Sequence, residues 1–145
     1  MKLFIEIILF IGFVSEFVLG LFVYLKGKNN LINKYFFVTM ICGALWNFFF
    51  GLGIAFSSNF VDKLCVAIGL FAVSFLLLFS ESFSKDRKTI NSFFFIVLIV
   101  PVILSPFILF SNIIIGETIF HSNGFIESTD GPLVFIYYLF YSLFF

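Results

Sequence analysis

Apolar residues run through this chain in long unbroken blocks, not in the alternating pattern of half-buried strands or the one-sided pattern of surface helices. A helix needs ~20 mostly apolar residues to cross ~30 Å of hydrocarbon. Four blocks meet or approach that length: residues 3–25, 35–56, 64–83 and 90–110. A fifth block, 132–145, is apolar or aromatic apart from Ser142 but has only 14 residues, a reach of about 21 Å. The pattern predicts an all-α fold: a polytopic integral membrane bundle with about five transmembrane helices present. Because a helix stopping inside lipid leaves carbonyls unsatisfied, the short fifth block leads us to expect a partial transmembrane domain, with further helices and a cytoplasmic domain beyond it.

The segment between the fourth and fifth blocks is the only sizeable polar stretch. Asn123-Gly124 stands at its centre with β-favouring residues on both sides. That dipeptide suits the two positive-φ positions of a type I′ turn. A short hairpin is expected here, lying over the outer helix ends. Gly131-Pro132 is expected to open the fifth helix, with proline at its first position.

Composition removes other classes. The chain is 62% hydrophobic and 11% charged, whereas a soluble domain carries roughly 25% charged residues. Eight basic and eight acidic residues cancel, so no basic surface for nucleic acid is expected. Cys42 and Cys65 both lie within apolar blocks and form neither a disulfide framework nor a metal-ligand spacing. His121 and Glu117 offer one weak metal pair, for which a solvated loop is the plainer reading. The first block is longer than a signal-peptide core and lacks an A-x-A-like site, so it reads as an uncleaved helix. No P-loop, GxSxG or HExxH motif occurs, and neither an enzyme activity nor a cofactor is expected of this segment.

The charges set an orientation. Lys26, Lys28 and Lys34 follow the first block, and Lys85, Arg87 and Lys88 follow the third. Six of the eight basic residues thus fall in two loops on one side, leaving Lys2 and Lys63 on the other. By the positive-inside rule the two loops are cytoplasmic and the N-terminus is outside.

Polar and small residues within the apolar blocks are the candidate site. Gly12, Glu16 and Gly20 share one face of the first helix; Thr39, Gly43, Asn47, Gly51 and Ala55 share one face of the second. Small residues at this spacing let helices approach closely, and polar ones hydrogen-bond across the contact. Glu16 and Asn47 lie within about 5 Å of the same depth, so the two faces are expected to meet with Glu16 near Asn47. An intramembrane ionisable residue is a functional candidate, as a ligand contact or proton sensor; a purely structural bond between helices is the competing reading. Trp46, in mid-helix, is expected to pack inside the bundle. Tyr137 and Tyr141 share a face of the fifth helix and are candidates to line an inner cavity. Pro101 and Pro106 are expected to kink the fourth helix.

The order of these features resembles the N-terminal seven-transmembrane region of bacterial histidine kinases, truncated after its fifth helix. The resemblance is carried by Ala44-Leu45-Trp46, by Ala67-Ile68-Gly69 with an apolar run to Phe83, and by Pro101 followed by Phe110-Ser111-Asn112. Its most specific stretch runs from Asn123-Gly124-Phe125 to Gly131-Pro132-Leu133 and an aromatic helix. It covers roughly residue 33 onward; Asn123 stands where the family often has an aromatic, and the third helix lacks a proline after its glycine. The resemblance implies a sensory input module in a bacterial inner membrane, multi-pass, with a cytoplasmic output. From their placement within the helices, Glu16, Asn47, Trp46, Tyr137 and Tyr141 are the residues expected to bind a small or lipophilic ligand in such a module, with the lipid bilayer as its surroundings and a homodimer formed through the output domain. A fragment or subunit of a membrane transporter is the alternative, since intramembrane polar residues and proline-broken helices also suit substrate passage.

Overall fold

The computed structural model describes residues 2–83, 87–112, 114–120 and 126–142. Its elements are α1 (Lys2–Lys26), α2 (Leu31–Phe56), α3 (Asn59–Glu81), α4 (Arg87–Phe110), β1 (Ile115–Phe120), β2 (Ile126–Asp130) and α5 (Val134–Ser142). Three of them, α1, α2 and α3, are long and apolar enough to cross a membrane; in α4 the described apolar stretch is Val97–Phe110.

Helix ends follow local capping chemistry more closely than hydropathy. α2 begins four residues before its apolar block because Asn30 caps it: its side chain accepts from the Ile32 N–H at 2.9 Å, with extended backbone at φ −79. α3 begins at Asn59 behind Ser58, which takes extended backbone and whose hydroxyl faces the Val61 N–H. Only Ser57 and Ser58 separate α2 from α3, and Ser57 turns the chain with a left-handed φ of 52. Such short links force antiparallel neighbours. Accordingly α1 packs on α2, α2 on α3 and α3 on α4. The loop after α1 and the start of α4 therefore lie at one end of the bundle, which collects Lys26, Lys28 and Lys34. Lys2, Lys63 and the hairpin lie at the other.

The hairpin forms where the sequence places it. β1 and β2 pair antiparallel through Thr118↔Ser128, Ile119↔Glu127 and Phe120↔Ile126, with an irregularity between Ile115 and Thr118. Residues 121–125, including Asn123-Gly124, lie outside the described residues. The register of Ile115 with Asp130 is offset by one residue from that of the pairs beginning at Thr118. Ile114 and Ile115 pack with Ala67, Leu70, Val73 and Ile108 in the larger core cluster, so the hairpin root is seated on α3 and α4. A second cluster, Tyr35, Leu78 and Val97, joins α2, α3 and α4 further along.

Gly131 donates its N–H to the Ile114 carbonyl at 3.0 Å, closing the base of the hairpin. Pro132 then lies in a turn, with the Val134 N–H donating to the Gly131 carbonyl, and α5 opens at Val134 instead of at Pro132. Both prolines of α4 stand inside the helix. Pro101 has no N–H to offer the carbonyl four residues before it, that of Val97. Ser74 of α3, fully buried, reaches that carbonyl with its hydroxyl at 3.4 Å while also lying 2.9 Å from the Leu70 carbonyl. The single hydroxyl proton is thus shared between the Leu70 carbonyl and the carbonyl that Pro101 leaves open, with the shorter approach to Leu70.

Candidate functional site at the contact of α1 and α2

The two small-residue faces meet as the spacing predicts, and the polar residues bond across the contact. Asn47 Nδ2 donates to Glu16 Oε2 at 3.0 Å. Each polar side chain lies over a glycine of the other helix. A Cβ on Gly43 would stand 3.0 Å from Glu16 Oε2, and a Cβ on Gly12 would stand 3.1 Å from Asn47 Nδ2. Gly12 and Glu16 are one turn apart on α1, as Gly43 and Asn47 are on α2. The arrangement is therefore reciprocal: two notches, each holding the polar group of the partner helix. The contact continues on both sides. Gly20 admits Met40, whose Cβ would lie 2.7 Å from a Cβ built there, while Gly51 faces Leu9 at an ordinary 3.9 Å. Thr39, buried on the same helix, donates its hydroxyl to the Tyr35 carbonyl within α2 and takes no part in the bridge.

Glu16 and Asn47 are both half-buried, and the neighbouring contacts at Gly20–Met40 and Leu9–Gly51 are apolar. A carboxyl–amide bond there has no competing side chain among the described residues and a low-dielectric surround, which favours making it and penalises breaking it halfway.

Trp46 departs from expectation. It is 38% exposed and stacks on Phe50, with ring centroids 5.3 Å apart and planes 4° from parallel. One residue before Asn47 on a helix is about 100° around the axis, which turns the indole away from the bridge. Its backbone still takes part in packing, since Cys65 Sγ of α3 approaches the Trp46 carbonyl at 3.9 Å. Tyr137 and Tyr141 belong to α5, and their side chains, like His121, lie outside the described residues.

A second polar cluster had no counterpart in the sequence reading. Lys63, only 6% exposed, donates from Nζ to the Ser111 carbonyl at 2.9 Å and to Asn112 Oδ1 at 2.5 Å. Asp62 beside it is equally buried. Lys63 sits early in α3, near the positive end of its own helix dipole, yet at the negative C-terminal end of α4. That misfit within its own helix was the available signal that its partner lay elsewhere. The cluster anchors the entrance to the hairpin, because Ser111 and Asn112 connect α4 to Ile114 and β1.

No family model, curated protein or solved structure matches the chain.

Proposed function

We propose that the chain is a membrane-embedded sensory input module of a bacterial signal-transduction protein, whose output is cytoplasmic and of the histidine-kinase kind. The observation that carries this reading is the Glu16–Asn47 bond held in reciprocal glycine notches. An apolar helix pair has no need of a carboxyl group for packing alone, whereas a bond that exists in one packing and not in another supplies a two-state element. A signal acts on such an element only by binding the two packings unequally. The crossings, the cytoplasmic position of the basic end and the outer position of the hairpin belong to the same proposal. They are supported by the apolar lengths of α1, α2 and α3 and by the one-sided distribution of lysine and arginine. The resemblance of its motifs to the seven-transmembrane histidine-kinase region supports an output of that kind.

The test is Glu16→Leu, which removes the acceptor of the Asn47 amide, in the full-length protein, read through its own signalling output. Interhelical polar bonds in membranes contribute about 0.6 kcal/mol on average and up to about 1.7. Removing one side of the bridge is therefore expected to shift the resting balance of the two packings by about three- to fifteen-fold. Output unchanged by Glu16→Leu would remove the bridge as the switch and leave the topology standing. The topology has its own measurement. A reporter fused after Lys88 is expected to be active in the cytoplasm and one inserted in residues 121–125 outside; the reverse pattern overturns the sensor orientation.

A further inference from the structure

Between α1 and α2, at the end of the bundle that carries Lys2, runs a cleft of about 190 Å³. Glu6 lines its mouth and Asn47 its inner limit, and Leu9, Phe10, Phe48 and Leu52 form its walls. Glu6 is half-buried and makes no hydrogen bond or ion pair among the described residues. Lys2, one turn before it on the same face of α1, reaches the Ala55 carbonyl at 3.4 Å, which leaves ammonium protons free to meet another group. Ala55 lines the cleft, so Lys2, bonded to its carbonyl, brings a cation to the same end of the apolar channel as the unengaged Glu6 carboxylate.

The geometry points to an aminophospholipid as the occupant: its ammonium on Glu6, its phosphate on Lys2 and one acyl chain along the walls. The depth agrees. From Lys2 to the level of Gly12, where Asn47 closes the cleft, α1 rises about 15 Å, half of a ~30 Å hydrocarbon core and hence one leaflet. The cleft is smaller than the ~300–1,000 Å³ of enclosed ligand pockets and opens along its side, so a chain lies in it where a compact molecule would not be held. An anionic lipid without an amine meets Glu6 as a like charge. A choline headgroup offers it no N–H donor. The inference rests on the membrane-crossing part of the proposed function, not on its signalling part. It places a bound lipid directly beside the Glu16–Asn47 bridge, with Asn47 common to both.

The full chain, reconstituted in nanodiscs of equal parts phosphatidylethanolamine and phosphatidylglycerol and then re-extracted in detergent, is examined by native mass spectrometry for retained lipid. Phosphatidylethanolamine is expected to be retained about tenfold over phosphatidylglycerol, the effect of one charge-assisted hydrogen bond. Glu6→Gln is expected to bring that ratio towards one, and Lys34→Gln, at the opposite end of the bundle, to leave it unchanged. Gly51→Leu fills the cleft and is expected to reduce retention of both lipids. Equal retention of the two lipids by the unmodified chain, as of a general lipid belt, overturns the proposal, as does a preference that survives Glu6→Gln. A chain that incorporates into nanodiscs but shows no preference sinks the lipid site alone. A chain that does not incorporate sinks the membrane reading with it.

Discussion

Replacing Gly20 by alanine is expected to destabilise the bundle by about 1–3 kcal/mol, and by leucine more, because there is no room for the first added carbon. A Cβ at that position would lie 2.7 Å from Met40 Cβ. That atom is fixed to the α2 backbone and cannot swing aside as a side-chain tip can, so the helices must separate. Separation would also lengthen the Glu16–Asn47 bond one turn away. Against this stands the gain of about 1 kcal/mol when alanine replaces glycine inside a helix, which is smaller than the steric cost. At Gly51 the balance reverses. The nearest neighbour of an added Cβ is Leu9 at 3.9 Å, so Gly51→Ala is expected to be neutral or to stabilise by up to about 1 kcal/mol. Thermal unfolding in detergent followed by circular dichroism measures both, at roughly 2–4 °C per kcal/mol for a chain of this size. In a double-mutant cycle Met40→Gly is expected to abolish the further penalty of Gly20→Ala, whereas Met40→Ala, which keeps its Cβ, is not. Equal melting temperatures for the two alanine variants would mean that α1 and α2 do not approach as closely at Gly20 as the structure has them.

Removing the Lys63 ammonium is expected to be comparably costly, about 3 kcal/mol. Lys63→Leu keeps the buried stem but deletes two charge-assisted hydrogen bonds, to the Ser111 carbonyl and to Asn112 Oδ1. Because Ser111 and Asn112 lead directly into Ile114 and the hairpin, the damage is expected to be local at first. Amide exchange should accelerate across Ile114–Phe120 before it does in α1 or α2. Lys63→Arg, which keeps the charge, is expected to lose less. A uniform loss of protection throughout the chain would show instead that Lys63 supports the whole bundle and not the root of the hairpin.

Both results bear on function through different ends of the molecule. Gly20 and the bridge lie on the α1–α2 contact, where the proposed switch sits. Lys63 holds the hairpin that leads into α5. A Lys63 variant that preserves the Glu16–Asn47 contact but alters output would place the signal's entry at the hairpin end of the proposed module.

The sequence alone determined the helices and the meeting of Glu16 with Asn47. Apolar length is a property of the chain itself, and a fixed rise per residue converts position into depth; two polar groups at equal depth on neighbouring antiparallel helices have few other places to go. The hairpin was legible for the same reason, since β-favouring residues around Asn123-Gly124 are a local signal. Hydropathy treats Leu31 and Asn59 as loop, while capping by Asn30 and Ser58, a second local signal, draws them into helices. Other features required the tertiary structure. Trp46 turned outward because a residue's face on a helix is settled by what packs against its neighbours, here Asn47 on α1. Nothing along the chain pairs Lys63 or Ser74 with α4. Its approach brought the Ser111 carbonyl beyond its end to Lys63, and to Ser74 the Val97 carbonyl, which Pro101 leaves without its helical donor. The seating of the hairpin root, with Ile115 buried beside Ala67 and Leu70, was likewise decided by the packing of α3 and α4. Periodicity and depth are written along one chain, whereas the partner of a buried polar group is chosen by whichever element packs beside it.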